Sequence, residues 1–243
     1  MKLLAFESTA KVASVSLFDD DKPLATSTLN TGLTHSEALL PMAEDLLRQA
    51  KLSFSDIALY AVTTGPGSFT GVRIGVATVK GLAFGKNLPC VSVSTLEALA
   101  ENLRGLSGIF VPVMDARRSQ VYTALFSSDG ETVTRITPDE ALSLSELAER
   151  LGAYTDTPIY LVGDGYTVAK RALDALLVTT ENTPMLLRDQ NAASVASVAY
   201  RAYLRGEYVS DLALAPTYLR LPQAERERLE REQQKENKDN GKA

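Results

Sequence analysis

Thr63-Thr64-Gly65-Pro66-Gly67-Ser68-Phe69-Thr70-Gly71-Val72-Arg73-Ile74-Gly75 is the stretch from which the fold can be predicted. An apolar run precedes it and a run of small and apolar residues follows, which predicts a strand, a glycine-rich turn and a helix. Gly65 and Gly67 give the turn backbone freedom that residues with a Cβ lack, and Ser68 or Thr70 is a good N-cap for the helix. Free N–H groups at such a turn can bind an anion, so anion binding and a purely structural tight turn both stay open.

Small residues recur every four positions along the predicted helix, which continues to Gly85. Residues four apart share one face of a helix, so this face is almost bare. Each glycine costs an isolated helix about 1 kcal/mol relative to alanine. The pattern therefore predicts a helix held by tight tertiary or subunit packing. Arg73 and Lys80 interrupt the run, so it does not predict a membrane span.

The composition limits the classes of protein to consider. With 243 residues, the chain has room for one large or two small domains. Its net charge of −5 argues against a nucleic-acid binder that acts alone. The single cysteine, Cys90, excludes an intrachain disulfide and is expected to be a buried apolar residue. Met1 to Glu7 does not resemble a signal peptide, and we expect a cytoplasmic protein without a membrane partner.

The first half of the chain has one order of predicted elements. Thr34 and Glu37 have capping-box spacing before a helix, and Pro41 indicates either a kink or a true start near residue 40. The expected strands cover residues 2–9, 12–18, 24–31, 58–62 and 91–94, and the expected helices cover 35–51, 71–85 and 95–103.

The second half repeats that order, which predicts an α/β fold with a duplicated βββαβα unit. The expected strands cover residues 108–115, 120–126, 132–136, 158–162 and 177–180, with a turn at 127–130, and the helices cover 143–151, 166–176 and 192–204. We expect a first subdomain at 1–104, completed by part of 190–222, and a second at 105–189. The charged tail, 223–243, is expected to be disordered.

The duplicated unit, with an acid at the end of each first strand, resembles the actin, sugar-kinase and Hsp70 (ASKHA) class of folds. Four motifs make the resemblance more specific and are similar to the bacterial TsaB (YeaZ) family: residues 4–9 (LAFEST), 35–41 (HSEALLP), 65–75 and 92–99 (SVSTLEAL). The similarity covers about the first hundred residues strongly. The segments at 162–165 (VGDG) and 216–220 (PTYLR) extend it more weakly.

The resemblance implies a function. Members of that family pair with the catalytic paralogue TsaD and, with the ATPase TsaE, transfer threonylcarbamoyl to the adenosine beside the anticodon of tRNAs reading codons that begin with A. It implies a non-catalytic subunit that meets tRNA through the complex and forms a homodimer in isolation. No cofactor is expected in the isolated subunit, and ATP or ADP with Mg²⁺ is a candidate at the assembled complex.

The residues agree with a non-catalytic role. The catalytic paralogue holds a metal through two histidines four apart, whereas here His35 is the single histidine and Leu39 stands four residues on. We therefore expect no catalytic residue, no transition-metal site and no protease activity. Glu7, Gly65, Gly67 and Asp115 form a candidate nucleotide loop, with hydrogen bonding at strand ends as the favoured alternative for the two acids. An independent ATP-dependent kinase using Asp115 remains the alternative function.

Two helices are predicted to lie side by side and to bind the partner. One offers large apolar side chains and the other a bare lane, whereas the alternative is that both merely cover the sheet. The predicted partner-binding residues are Leu39, Leu40, Met42, Leu46 and Leu47 on the first helix and Gly71, Ile74, Gly75 and Val79 on the second.

Overall fold

A computed structural model describes residues 1–117 and 120–220 of the chain. The charged tail expected at 223–243 lies outside the described residues. Two β-sheets follow one another along the chain, and helices cover them. None of the helices in the described ranges is long and apolar enough to cross a membrane.

The first sheet has five strands in the order β3-β2-β1-β4-β5. The strands are β1 (Lys2–Glu7), β2 (Ala13–Asp19), β3 (Lys22–Leu29), β4 (Leu59–Gly65) and β5 (Cys90–Ser94). The first three form an antiparallel meander, and β4 and β5 run parallel to β1. The carboxyl ends of β1, β4 and β5 therefore meet at one edge of the sheet, where ligands bind in open α/β sheets.

Helices cover both faces of this sheet. The helices are α1 (His35–Gln49), α2 (Phe69–Ala83), α3 (Thr95–Glu101) and, from the end of the chain, α6 (Ala192–Leu204). Alternate residues of β1 point to opposite faces, so Leu4 and Phe6 pack with α1 and α2, whereas Leu3 and Ala5 pack with α6. A start of α1 near residue 40 is wrong, because the helix begins at His35 and continues through Pro41.

The second sheet repeats this plan around β6 (Ser107–Asp115). Its other strands are β7 (Gln120–Thr123), β8 (Phe126–Asp129), β9 (Val133–Arg135), β10 (Glu140–Ser143) and β11 (Ile159–Val162). Strands β7 and β8 pair antiparallel with β6 in one register, β10 and β9 continue that meander, and β11 pairs parallel with β6. Two helices complete it, α4 (Leu144–Leu151) and α5 (Tyr166–Ala175). The predicted α/β class with a duplicated order of elements is confirmed.

The prediction was wrong in three parts of the second half. The strand expected at 120–126 is interrupted at residues 124–125, because the register places residue 124 opposite Pro112, which has no N–H to donate. The turn expected at 127–130 lies largely within β8. The strand expected at 177–180 is absent from the described structure. Leu177 has a φ of 61°, which is incompatible with a strand, and the pairing with β11 is limited to one parallel bridge between Tyr160 and Glu181.

After α6, the chain returns along the first half as a C-terminal strap, residues 209–220. Val209 bridges to Cys90, and the Thr217 N–H donates to the Thr64 carbonyl at 2.7 Å. Lys80 Nζ donates to the carbonyls of Leu212 and Leu214, which ties the strap to α2. The first half thus receives its last helix and its strap from the end of the chain. The subdomain boundaries themselves stay a prediction.

Candidate functional site

A cleft with a cavity of about 430 Å³ lies between the two halves. Six segments form its walls: the turn after β1, the glycine-rich loop after β4, the end of β6, Tyr122 of β7, Asp164 after β11 and the C-terminal strap. Of the four candidate nucleotide-loop residues, Gly67 and Asp115 line the cavity, and Glu7 and Gly65 are not among its lining residues.

The glycines of the loop are required by packing within the chain. Gly65 has a φ of 118°, and a Cβ on it would lie 2.5 Å from the Thr217 carbonyl oxygen. A Cβ on Gly67 would lie 2.5 Å from the Thr9 carbonyl oxygen, which also accepts the Ser68 N–H at 2.7 Å. Ser68 caps α2 by accepting the Gly71 N–H. These contacts account for the Gly-Pro-Gly pattern as a tight structural turn; anion binding by the loop stays a prediction.

Over the first two turns of α2, atoms of Ser8 occupy the space beside Gly71 and Gly75. A Cβ on Gly71 would lie 2.0 Å from the Ser8 carbonyl oxygen, and one on Gly75 would lie 2.4 Å from Ser8 Oγ. Ser8 Oγ in turn donates to the Gly71 carbonyl at 2.9 Å. Further along, Gly81 is exposed, and a Cβ there would meet no atom within 4 Å.

Two acids line the cavity. Burial raises the pKa of Asp164, and the negative charge of Asp115 raises it further. Asp115 accepts the Arg117 N–H at 2.7 Å. Two neighbouring carboxylates at a cavity offer the oxygen ligands that Mg²⁺ prefers. Asp164 was not among the predicted site residues, although the sequence analysis had noted its segment, residues 162–165, as part of the family resemblance.

Basic and aromatic side chains complete the walls. Lys11, Arg117 and Arg220 line the cavity together with Tyr122 and Tyr218. Arg220 donates to the Ala116 carbonyl and to Gln120 Oε1, which holds the strap against the end of β6. Sequence reasoning did not identify these residues as site residues. Residues 11, 117 and 220 are far apart in the sequence, so only the fold shows that they line the same cavity.

Glu7 lies beneath the cleft and is fully buried. Its Oε1 accepts the Thr9 N–H at 2.6 Å and the Thr9 hydroxyl at 2.5 Å. Burial raises the pKa of this carboxyl, and the bonds from Thr9 oppose that effect. Its hydrogen bonding at the end of β1 agrees with the structural alternative for this acid.

The predicted partner-binding residues differ in exposure. Helices α1 and α2 contact each other, as expected. Leu40 is 40% exposed and Ile74 is partly exposed. The other seven are buried within this chain: Leu39, Met42, Leu46, Leu47, Gly71, Gly75 and Val79. The interface stays a prediction: of its nine residues Leu40 and Ile74 are accessible, and the small α2 residues Ala77 and Gly81 are also exposed.

His35 and Cys90 have structural contacts. His35 Nε2 lies 2.8 Å from the Ala10 carbonyl oxygen, at the start of α1. Cys90 is buried as expected, and burial raises the pKa of its thiol to about 11. Within residues 1–117 and 120–220, no group of three or more His, Cys, Asp or Glu side chains is placed to hold a metal ion.

Comparisons with known proteins agree on one family. A family model described as "TsaD: tRNA N6-adenosine threonylcarbamoyltransferase" matches residues 30–228. The chain is 30% identical to the tRNA threonylcarbamoyladenosine biosynthesis protein TsaB of Bacillus subtilis (strain 168), over 95% of this chain and 99% of that protein. It is 30% identical to the protein of the same name in Escherichia coli (strain K12), over 90% and 95% of the two chains.

Solved structures give the same result. YeaZ from Pseudomonas aeruginosa superposes with a TM-score of 0.73 at 28% identity, over 90% of this chain and 99% of that one. Component A of (R)-2-hydroxyglutaryl-CoA dehydratase from Acidaminococcus fermentans has a TM-score of 0.50 at 12% identity, which shows a shared fold alone. The prediction of an actin-like fold is confirmed.

Proposed function

The chain belongs to the TsaB family, and from that premise we propose that it is the non-catalytic assembly subunit of a tRNA threonylcarbamoyltransferase complex. In this proposal it pairs with the catalytic paralogue TsaD, works with the ATPase TsaE and acts in the cytoplasm. The complex transfers threonylcarbamoyl to the adenosine next to the anticodon of tRNAs that read codons beginning with A. The chain itself meets tRNA through the complex.

One observation carries the proposal: α2 keeps a bare lane where its own chain does not need it. Gly71 and Gly75 contact Ser8, whereas Ala77 and Gly81 share a different face of α2, where Ala77 is exposed and a Cβ on Gly81 would meet no atom within 4 Å. A solvent-exposed glycine in a helix costs about 1 kcal/mol relative to alanine. A partner helix that approaches the backbone closely at Gly81 offsets that cost, because only a residue without a Cβ permits such an approach.

Exposed apolar side chains also occur on this helix pair. Phe84, which follows the last residue of α2, is 73% exposed, Leu40 on α1 is 40% exposed, and Ile74 on α2 is partly exposed. Exposed aromatic and aliphatic groups around a bare lane are typical of a helix-packing interface. Because TsaD is a paralogue, its corresponding helix pair is expected to offer a similar surface. The same similarity makes a homodimer through this face the expected state when TsaD is absent.

In this proposal, ATP or ADP with Mg²⁺ binds in the assembled complex and not in the isolated subunit. Asp115 and Asp164 line the cavity and supply carboxylate oxygens suited to Mg²⁺ beside ATP or ADP. Glu7 does not suit that role, because it is buried and its Oε1 is bonded to Thr9. The single histidine of the chain is bonded through Nε2 to a backbone carbonyl oxygen, which fits a subunit that leaves the chemistry to its paralogue.

An independent ATP-dependent kinase remains the competing function, since Asp115 and Asp164 face a cavity of about 430 Å³. A kinase that works alone would turn over ATP with an acceptor at about 1 per second or faster. The proposed subunit is expected to stay far below that rate with ATP and Mg²⁺. Turnover at the kinase rate that Asp115→Asn abolishes would favour the kinase.

Reconstitution of the tRNA modification tests the proposal. Purified TsaD, TsaE, substrate tRNA, ATP and a threonylcarbamoyl donor are combined with and without this chain, and modified adenosine is quantified by mass spectrometry. We expect modification only when the chain is present. Full modification without the chain would contradict a required assembly subunit.

A further inference from the structure

Two aromatic side chains and an arginine form a stacked group at the edge of the cleft. The rings of Phe69 and Tyr218 are stacked, with their centroids 4.6 Å apart and an angle of 24° between their planes. The Arg73 guanidinium lies 3.8 Å from the centroid of the Phe69 ring, and its Nε donates to the Tyr218 hydroxyl at 2.8 Å. We call these three residues the aromatic ledge. Their contacts join the start of α2 to the C-terminal strap.

The aromatic ledge is accessible from the cavity and from solvent. Phe69 and Tyr218 both line the cavity, Tyr218 is 42% exposed, and Arg73 is exposed. A second pair of the same kind lines the cavity, since the Arg220 guanidinium lies 5.7 Å from the centroid of the Tyr122 ring. Aromatic rings held in place at an accessible cavity offer a surface on which a flat ring of a ligand can stack.

The cavity is more basic than the chain as a whole. The chain has 25 basic and 30 acidic residues, which give it a net charge of −5. The side chains that line the cavity reverse this order, with three basic groups, Lys11, Arg117 and Arg220, and two acidic groups, Asp115 and Asp164. The aromatic ledge adds a fourth basic group. A basic cleft on an acidic chain favours an anionic ligand.

The cavity continues into a second one. The second cavity has a volume of about 370 Å³, and Lys11, Ser68 and Thr70 line both cavities. From these shared residues it extends to the loop before α1, residues 30–34. The two cavities therefore form one groove across the start of α2. Each cavity alone is large enough for a small ligand, so the whole groove suits several linked nucleotides better than a mononucleotide.

We propose that this groove binds a single-stranded segment of tRNA, with a base stacked on the aromatic ledge and a phosphate beside Lys11. The inference rests on the proposed function, which supplies the tRNA and the complex. Proteins bind single-stranded RNA by stacking its bases on aromatic side chains and by placing basic side chains along its backbone. Because the groove has few basic groups on an acidic chain, it adds to the affinity of the complex and binds tRNA weakly in isolation.

Variants of Tyr218 test the stacking. The complex of this chain with TsaD and TsaE is purified by size exclusion, and its Kd for substrate tRNA is measured by fluorescence anisotropy. Tyr218→Ala should raise the Kd about 5- to 150-fold, the loss expected for one stacked base. Tyr218→Phe keeps the ring and should bind tRNA like the unaltered chain. An unchanged Kd for Tyr218→Ala, or an equal loss in both variants, would overturn stacking on this ring.

A variant of Lys11 tests the phosphate contact. Lys11 is exposed, and Lys11→Ala should lower the slope of log Kd against log salt concentration by about 0.7, the value for one phosphate of a single strand. Lys22→Ala is the matched control. Lys22 is also exposed, and its ladder partner Asp19 pairs with Lys2 at the start of β1, at the other end of the sheet from the groove. Equal slopes for the two variants would contradict the phosphate contact.

Photo-crosslinking of the isolated chain separates this inference from the proposed function. tRNA that carries 4-thiouridine is irradiated with the chain at low salt, which strengthens phosphate contacts, and the crosslinked peptides are identified by mass spectrometry. We expect crosslinks at residues 66–73 or 217–220. Crosslinks there support the groove even if TsaD modifies tRNA without this chain. Crosslinks confined to other parts of the chain overturn it even if the complex works as proposed.

Competition in the same experiment distinguishes RNA from a free nucleotide. Unlabelled single-stranded RNA should abolish the crosslinks in the groove, because it occupies the aromatic ledge and the Lys11 contact together. ATP with Mg²⁺ at the same concentration of nucleotide should leave them in place. Equal competition by ATP would assign the groove to a mononucleotide and overturn the proposal.

Discussion

The carboxylate of Glu101 accepts five hydrogen bonds, three of which join α3 to α6. Arg201 donates to both oxygens, at 2.9 and 2.8 Å, Arg104 also donates to both, and Ser197 donates to Oε1 at 2.8 Å. Burial by itself would raise the pKa of Glu101, but the bonds from Arg104 and Arg201 hold it below its ordinary value. The cluster fixes the helix that leads into the second half against the helix that returns from it.

Glu101→Gln should lower the free energy of unfolding at pH 7 by about 1–3 kcal/mol, a range reduced because both arginines are partly exposed. A carboxyl with a depressed folded pKa contributes stability above its unfolded pKa, and that contribution is lost as the pH falls through the folded pKa. The difference between the two proteins should therefore begin to shrink as the pH falls below the ordinary glutamate pKa of about 4, and it should be lost only below the depressed folded pKa. Urea unfolding at pH 7 and at acid pH measures it. A pH-independent difference would show that the charge is not responsible.

At the scale of one element, α2 contains glycines with opposite roles. Gly71→Ala places a Cβ 2.0 Å from a backbone oxygen of Ser8, whereas Gly81→Ala places one in open space. We expect Gly71→Ala to destabilise the fold by about 1–3 kcal/mol, because the strain exceeds the gain in helix propensity. Gly81→Ala should stabilise it by up to about 1 kcal/mol. Chemical denaturation of the two variants checks the contrast, and equal effects would refute the assignment.

The same helix shows how far the sequence alone could lead. The four-residue spacing of small residues predicted one bare face, but Gly71 and Gly75 face Ser8, whereas Ala77 and Gly81 lie on a different, exposed face of the helix. The sequence did not reveal the contact with Ser8, more than sixty residues earlier, because that contact depends on the strand order. Leu39, Met42, Leu46 and Leu47, which were predicted to bind a partner, are buried in the core of the first half, where they pack with residues of the sheet and of α2.

Elements of the second half were harder to predict for local reasons. Residues 120–129 pair with β6 in one continuous register. Pro112 in β6 has no N–H to donate to them, and the sequence of residues 120–129 does not show this. Leu177 adopts a left-handed conformation that its residue type does not suggest. The cleft residues Lys11, Arg117 and Arg220 come from three distant segments, so their meeting depends on the duplicated topology.

At the scale of the whole molecule, the two halves share a plan but differ in their surfaces. The first half has a helix, α2, with small exposed residues at Ala77 and Gly81. Contacts such as Ser94 Oγ to Asp139 Oδ2, at 2.6 Å, connect the start of α3 to the second half. An exposed helix face of small residues suits a subunit that acts by docking to its paralogue, which is the central claim of the proposed function.

Binding of TsaD to a Gly81→Leu variant, measured by isothermal titration calorimetry, tests that claim most directly. Gly152→Leu is the matched control, because Gly152 is also exposed with no atom within 4 Å of a new Cβ, but lies in the second half. Overpacking of a close helix contact costs about 1–3 kcal/mol, so Gly81→Leu should weaken binding roughly 5- to 150-fold while circular dichroism shows an intact fold. Gly152→Leu should bind like the unaltered chain. A folded Gly81→Leu protein that binds TsaD with unchanged affinity would contradict docking through this lane.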